Sequence, residues 1–418
     1  MIALIDGNNF YASCERIFNY AWRSRPLVVL SNNDGCAIAR SNEAKALGIP
    51  MGEPYFKLKH FEKSHGLVVC SANFVLYGDI SNRVVQIVNR YCNDIEVYSI
   101  DESFLFLDGY NNQHQRMVDL RREVLQGLDL PTSIGIAPSK TLAKVANKIA
   151  KKYPDKTGSV YMIDSQKKIE AALKWFPIDD IWGIGRRYND KFRAYGAHTA
   201  WDFTQFPNDF LRKEMGILGV RMKKELLGDP QYEMSIPEPK KNIATTRTFD
   251  KGHAEYDYVH ERVSTFASEC ARKLREQNSC CRHVTVFIMT DRFRQDQVQY
   301  VNSFTITLPN PSNSSIEISK FAKMALDKIF IDGPKYRKAG VITGTFVPET
   351  ERMTSMFDVD FHEKHAPIMK AMDLMNTRLG KQKVKLASMD VQTTWKMDQK
   401  HLSPKYTSSF NESIILRA

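Results

Sequence analysis

The chain has 418 residues, 43% of them hydrophobic, which suits several domains of about 100 to 200 residues each. Its 59 Lys and Arg against 48 Asp and Glu give a net charge of +11, which favours an anionic partner, nucleic acid ahead of a membrane surface. No run approaches the ~20 apolar residues of a membrane span, and Asp6 interrupts the first apolar stretch before a signal peptide could form, so a soluble, cytoplasmic protein is expected.

Residues 1 to about 165 alternate strand-like and helical segments, with strands at Ile2–Ile5, within Ile95–Leu107 and at Thr132–Ile136, as in an α/β core. Asp6 ends the first strand, and Asp101-Glu102 interrupts the strand-rich run from Glu96 to Leu107. Carboxylates in such runs are expensive to bury unless they are paired or bind metal. Successive strand residues face opposite sides, so Asp101 and Glu102 meet at one site only if the backbone bends there. An isolated Asp at a strand end is most often a turn residue. Together the three carboxylates suit two hard Mg²⁺ ions about 3.5 to 4 Å apart in phosphoryl transfer, a chemistry shared by polymerases, nucleases, cyclases and phosphatases.

A helix follows from Ser139, with Leu142, Val145, Ala146, Ile149 and Ala150 on one arc and Lys140, Lys144, Lys148, Lys151 and Lys152 on the other. Most of these lysines are expected to be solvated. Residues 166–235 turn helical around Trp182-Gly183-Ile184-Gly185, which reads as a helix-hairpin-helix turn offering backbone N–H groups to a DNA phosphate, with Arg186 and Arg187 adding charge. Ile236-Pro237-Glu238-Pro239-Lys240-Lys241 reads as a linker.

Beyond it the order is β-α-β-β-α-β: strands at Ile243–Phe249, Val284–Met289, Val301–Leu308 and Ala339–Val347, and helices marked by Val259, Val263, Phe266, Cys270 and Leu274 and by Ile318, Phe321, Ala325 and Ile329. This suggests a separate split βαβ domain, with Arg247, Lys251, Arg282, Arg292 and Arg294 near its strands. After Pro348 the periodicity weakens, with only Ile368–Met375 clearly helical, so the tail is expected to dock on partners or on the body. The 7 cysteines include no CxxC and read as reduced structural thiols.

Asp6-Gly7-Asn8-Asn9-Phe10-Tyr11-Ala12-Ser13-Cys14-Glu15, followed by Tyr98-Ser99-Ile100-Asp101-Glu102-Ser103-Phe104, resembles the signature pair of the Y-family DNA polymerases. Leu30–Cys36, Glu43–Gly48, Trp182–Arg187 and Leu402–Thr407 are similar to the UmuC-like branch of that family, so the resemblance spans nearly the whole chain. It implies an α/β (α+β) right-hand polymerase: palm at 1–10 and 72–165, fingers at 11–71, thumb with the helix-hairpin-helix at 166–235, linker at 236–242, little finger at 243–347, and a partner-binding tail at 348–418.

The same resemblance implies error-prone, template-directed translesion DNA synthesis in the SOS response of a bacterium, with two Mg²⁺ ions as cofactor and a deoxynucleoside triphosphate (dNTP) as substrate. Asp6, Asp101 and Glu102 become metal ligands together with the Gly7 carbonyl. Tyr11, beside Phe10, becomes the ring that leaves no volume for a ribose 2′-OH. Asn42, Lys45 and Lys151 become triphosphate contacts; Asn42 stands where many relatives carry Tyr, and Arg40 is a second candidate there. Gly183, Gly185, Arg186, Arg187, Arg247 and Arg282 become contacts to primer-template DNA. A UmuD′-like dimer, RecA and the sliding clamp are the implied protein partners, the clamp through Met353–Phe357. The residues alone leave open a nuclease or cyclase, and a non-catalytic DNA-binding scaffold.

Overall fold

The computed structural model describes residues 1–235, 238–355, 357–380, 382–390, 397–412 and 414. Ile236 and Pro237 of the expected linker and Met356 of the proposed clamp segment lie outside the described residues. Two compact units result, Met1–Ile236 with Gln399–Ala418, and Pro237–Asp398. Among the described residues no helix is long and apolar enough to cross a membrane.

In the first unit five strands lie in the order Ile95–Val97, Glu102–Phe106, Ile2–Gly7, Thr132–Ala137 and Val160–Met162. Alternate residues feed two cores: Ala3, Ile5, Leu105, Ile134 and Ile136 join one, and Ile2, Leu4, Phe104 and Ala137 the other. Burial on both faces explains why the strands read as unbroken apolar runs. Helices Phe10–Ile17, Phe74–Val88 and Gln113–Leu128 close the first core; Lys140–Lys152 and the helices after it close the second.

Ser139 caps the helix Lys140–Lys152, its side chain accepting from Leu142 N at 3.3 Å. That helix rides against the sheet at backbone distance. A Cβ on Gly135 would lie well inside contact distance of Asn147 N and the Ala143 carbonyl oxygen, and 2.7 Å from the carbonyl carbon of Ala146. Asn147 Nδ2 donates to the carbonyls of Leu4 (3.2 Å) and Ser133 (2.7 Å), tying the helix to two strands.

A smaller sheet, ordered Ala37–Arg40, Leu27–Leu30 and Val68–Ser71, packs with helices Asn42–Ala46 and Tyr55–His65 around Val28, Leu30, Ile49 and Leu58. Five helices, Gln166–Trp175, Arg186–Ala194, Ala200–Gln205, Asn208–Met215 and Ile217–Leu226, make up the region expected to be helical.

The second unit holds strands Asn242–His253, Ser279–Thr290, Val301–Ser312 and Tyr336–Pro348, and helices Tyr256–Glu276 and Ser315–Ile329. The sheet is antiparallel, in the order third, second, fourth, first, so each helix joins two strands separated by one other. The element order is the expected one, and every strand runs longer than its apolar stretch.

The tail departs from expectation in two ways. Its helix is longer, His362–Leu379, and the weak period has a cause: Met369 and Met372 are buried while Ile368, Leu374, Met375 and Leu379 are exposed. It is also divided between the units. Asp373 takes a two-pronged bond from Arg275 (2.6 and 2.8 Å) and Asp390 pairs with Arg262 in the second unit, whereas Gln399–Ala418 belongs to the first.

Candidate active site

Asp6 and Glu102 face each other across antiparallel strands, as Cα partners in register. By the alternation that buries Ile2, Leu4 and Phe104, both carboxylates turn toward the helix Lys140–Lys152. Lys151 Nζ meets Asp6 Oδ2 at 2.5 Å and Lys144 Nζ meets Glu102 Oε1 at 2.8 Å. The run expected as one interrupted strand is a hairpin, Ile95–Val97 and Glu102–Phe106, with Tyr98–Asp101 between. Ser99 holds that bend: its hydroxyl donates to Asp101 Oδ1 (2.6 Å) and accepts from Asp101 N (3.3 Å) and Glu102 N (3.1 Å). Gly7 N donates to the Asp101 carbonyl at 2.9 Å, drawing the two acidic segments together.

All three carboxylates line one cleft of about 400 Å³, with Gly7, Asn9, Phe10, Tyr11, Arg40, Lys45 and Lys151. Burial raises the Asp6 carboxyl to about 6, against the opposing pull of Lys151 and with further upward push from Glu102 and Asp101. The cleft thus disfavours a bare negative charge there. Among the described residues no three acidic, His or Cys side chains are gathered as a metal cage, and lysines and Ser99 bond to the oxygens of these three carboxylates. The donor set, all oxygen, fits a hard divalent cation once Lys151 and Lys144 turn away from Asp6 and Glu102.

Opposite stands a basic wall. Arg40 donates from Nη1 to the Ile49 carbonyl (2.5 Å), while its Nε is buried without a hydrogen-bond partner. Lys45 donates to Asn9 Oδ1 (2.5 Å), and burial followed by repulsion from Arg40 and Lys151 lowers its pKa. Asn42 does not line the cleft; its Oδ1 accepts from Asn9 Nδ2 at 2.9 Å. Asn9, missed in the sequence, therefore bridges Asn42 and Lys45. Its left-handed backbone, φ 50° ahead of a helix, suits Asn.

Phe10 and Tyr11 differ in setting. Phe10 is 4% exposed and packed in the first core; a Cβ on Gly7 would lie 2.7 Å from its ring, so glycine lets that ring close over the strand end. Tyr11 is half-buried and stacks on Tyr77 with ring centroids 4.4 Å apart.

The lysine arc is solvated toward its end, where Lys151 and Lys152 are exposed, and covered at its start. Lys140 is buried, paired with Glu96 at 2.7 Å; Lys144 lies over the rings of Tyr98 (4.6 Å) and Trp182 (5.3 Å); Lys148 pairs with Asp180. Amphipathicity shows that one arc is polar, and not that carboxylates face it. Trp182 donates from Nε1 to the Tyr98 hydroxyl (3.1 Å), so the Trp-Gly-Ile-Gly loop braces the wall of the cleft. Gly183, at φ 97°, and Gly185 precede the helix Arg186–Ala194, where Arg186 and Arg187 are exposed. In the second unit Arg247 and Arg282 are exposed on strands, Arg282 at a bulge.

Comparison with known proteins matches the impB/mucB/samB family at residues 5–148, that family's C-terminal domain at 240–356, and a domain of unknown function at 366–415. The chain is 38% identical to Protein UmuC and 35% identical to Protein ImpB, both of Salmonella typhimurium and both aligned over the whole of each chain. It is 29% identical to DNA polymerase IV of Bacillus velezensis over 90% of each. A Y-family DNA polymerase chimera of Dbh and Dpo4 shares the fold at a TM-score of 0.66 and 20% identity, over 83% of this chain and 99% of that one. Taken with the right-hand polymerase fold, this full-length identity shows that the chain belongs to the UmuC (impB/mucB/samB) family of Y-family DNA polymerases, the DNA-directed DNA polymerases of translesion synthesis.

Proposed function

We propose that the cleft is the polymerising site, and that Asp6, Asp101 and Glu102, with the Gly7 carbonyl, hold two Mg²⁺ ions. The single observation behind this reading is that three carboxylates, three cations and Tyr11 line one cleft. When bound, the ions would favour the primer 3′-oxygen as nucleophile and offset charge on the triphosphate and departing pyrophosphate. Arg40, Lys45 and Lys151 bind the triphosphate, whose charge relieves their mutual repulsion. Asn42 acts through Asn9, orienting Lys45. Tyr11 lies under the sugar and excludes a 2′-hydroxyl, with Phe10 as its packed neighbour.

Residues 1–10 and 72–165 serve as palm, 11–71 as fingers, 166–235 as thumb and 243–347 as little finger. Gly183, Gly185, Arg186 and Arg187, with Arg247 and Arg282, grip primer-template backbone through sequence-blind contacts. Activity belongs to an error-prone SOS response in the bacterial cytoplasm, alongside a UmuD′-like dimer, RecA and the sliding clamp; the exposed Met353 and Phe357 suit the last.

Primer extension across an abasic template, with activated RecA and the small partner subunit supplied, tests the proposal. Wild-type chain is expected to extend and Asp101→Ala to be inert. Failure of the wild type, or an unaffected Asp101→Ala, overturns it.

A further inference from the structure

The segment Leu402–Thr407 is absorbed by none of the chemistry above, and it lies in the stretch matched as a domain of unknown function. In the first unit it is seated closely. Ser71 pairs with Leu402 as a parallel bridge, and Ser71 N donates to the His401 carbonyl at 2.9 Å. The Tyr55 hydroxyl and His401 Nε2 are 3.0 Å apart, and Tyr406 stacks on Phe18 at 4.6 Å. Asn73, which caps the helix Phe74–Val88, donates from Nδ2 to the hydroxyl of buried Ser403 at 3.0 Å.

From Ser403 a short chain of contacts leads to the nucleotide pocket. The Ser403 hydroxyl donates to Glu15 Oε1 at 3.2 Å, and the Tyr77 hydroxyl donates to the same oxygen at 2.7 Å. Glu15 and Tyr11 sit four residues apart on one helix, hence on one face. Tyr77, fully buried, stacks on Tyr11 with planes 16° apart, and Phe74 meets the same ring edge-on at 5.9 Å. Glu15 is wholly buried without a cation; burial raises its carboxyl to about 7, opposed by the bonds from Tyr77 and Ser403. A buried acid this costly, bonded among the described residues by these two hydroxyls, is a locating device rather than a surface charge.

We propose that Tyr77 and Ser403 are positioning residues for sugar selection: through Glu15 they fix the ring of Tyr11, and the carboxy-terminal segment thereby forms part of the nucleotide pocket's support. The inference rests on Tyr11 being the sugar-discriminating ring. Loss of the stack lets Tyr11 swing, which opens room for a 2′-hydroxyl without removing any group that handles phosphate or metal.

The test compares deoxy- and ribonucleotide incorporation, as kcat/KM, by full-length chain with its partners, for Tyr11→Ala, Tyr77→Leu, Tyr77→Phe and Ser403→Ala. Tyr77→Leu is expected to lower the deoxy-to-ribo ratio about tenfold, the scale of one lost aromatic pair. Tyr77→Phe keeps the stack but gives up its bond to Glu15, so it and Ser403→Ala each lower the ratio about threefold, the scale of one hydrogen bond. In each case the change comes from faster ribonucleotide use, whereas a merely structural role would slow both sugars together. If Tyr11→Ala lowers the ratio while Tyr77→Leu and Ser403→Ala leave it at the wild-type value, the inference falls and the gate stands. If Tyr11→Ala also leaves it unchanged, the gate reading falls and takes the inference with it. Should Tyr77→Leu not fold, Ser403→Ala decides alone, an unchanged ratio overturning the proposal.

Discussion

Asp6→Asn is expected to destroy extension while making the protein harder to melt. The Asp6 carboxyl lies at about 6 in the folded chain against an ordinary 3.8, because burial outweighs the pull of Lys151. At about 1.36 kcal/mol per tenfold change in proton affinity, ionised Asp6 costs the native state about 3 kcal/mol. The native pKa exceeds the unfolded one, so the folded chain binds more protons, and stability falls as pH rises from 3.8 through about 6. Asparagine removes that loss. The figure is an upper one, since Lys151 forfeits its partner. Melting in chelator at pH 8 should show Asp6→Asn above wild type by about 5 °C, with about half the gap at pH 5. Added Mg²⁺ should raise wild type alone, by binding the native state. The reasoning is refuted if the variant melts no higher at pH 8, or if the gap does not shrink on acidification.

Glu96→Gln should destabilise the chain by about 3 kcal/mol in urea, because it leaves the Lys140 ammonium buried beside a neutral group; an unmoved midpoint would show that the Glu233 carbonyl, 2.6 Å away, suffices. Replacing both Arg186 and Arg187 by Ala should reduce the slope of log affinity for primer-template against log salt by about 1 to 2, uniformly across sequences. An identical slope would remove that loop from the DNA contacts.

Asp6 was legible through its company, since an acid ending an apolar strand is by itself most often a turn residue, whereas Asp101-Glu102 and the motif running through Gly7 to Tyr11 set it apart. A bend was needed for Asp101 and Glu102 to meet, but its place at Ser99 was not legible, since Tyr98-Ser99-Ile100 carries neither Gly nor Pro and looks like more strand. A serine hydroxyl bonded to three local partners makes that turn, and such bonds leave no periodic trace. The lysine helix was recognised with its cap and its solvated end, yet the covering of Lys140 and Lys144 was not, because which charges they meet depends on tertiary packing. The division of the tail was hidden for a similar reason. Around Leu402 the chain is held by backbone pairing with Ser71 and by single polar contacts, so no apolar repeat announces it. Glu15 read as one more motif residue until Tyr77 and Ser403 came to it from distant parts of the chain.

The backbone contact at Gly135 bears on timing. Lys144 and Lys151 flank Asn147 on a helix that cannot approach the sheet further and is tied to it by the Asn147 amide. On the proposed reading, Lys151 cannot follow an entering triphosphate by helix movement and exchanges Asp6 for phosphate by turning its own side chain. Such rotations of a half-exposed lysine take picoseconds to nanoseconds, far faster than the turnover of any polymerase. On that reading, the turn of the Lys151 side chain does not limit the rate of synthesis.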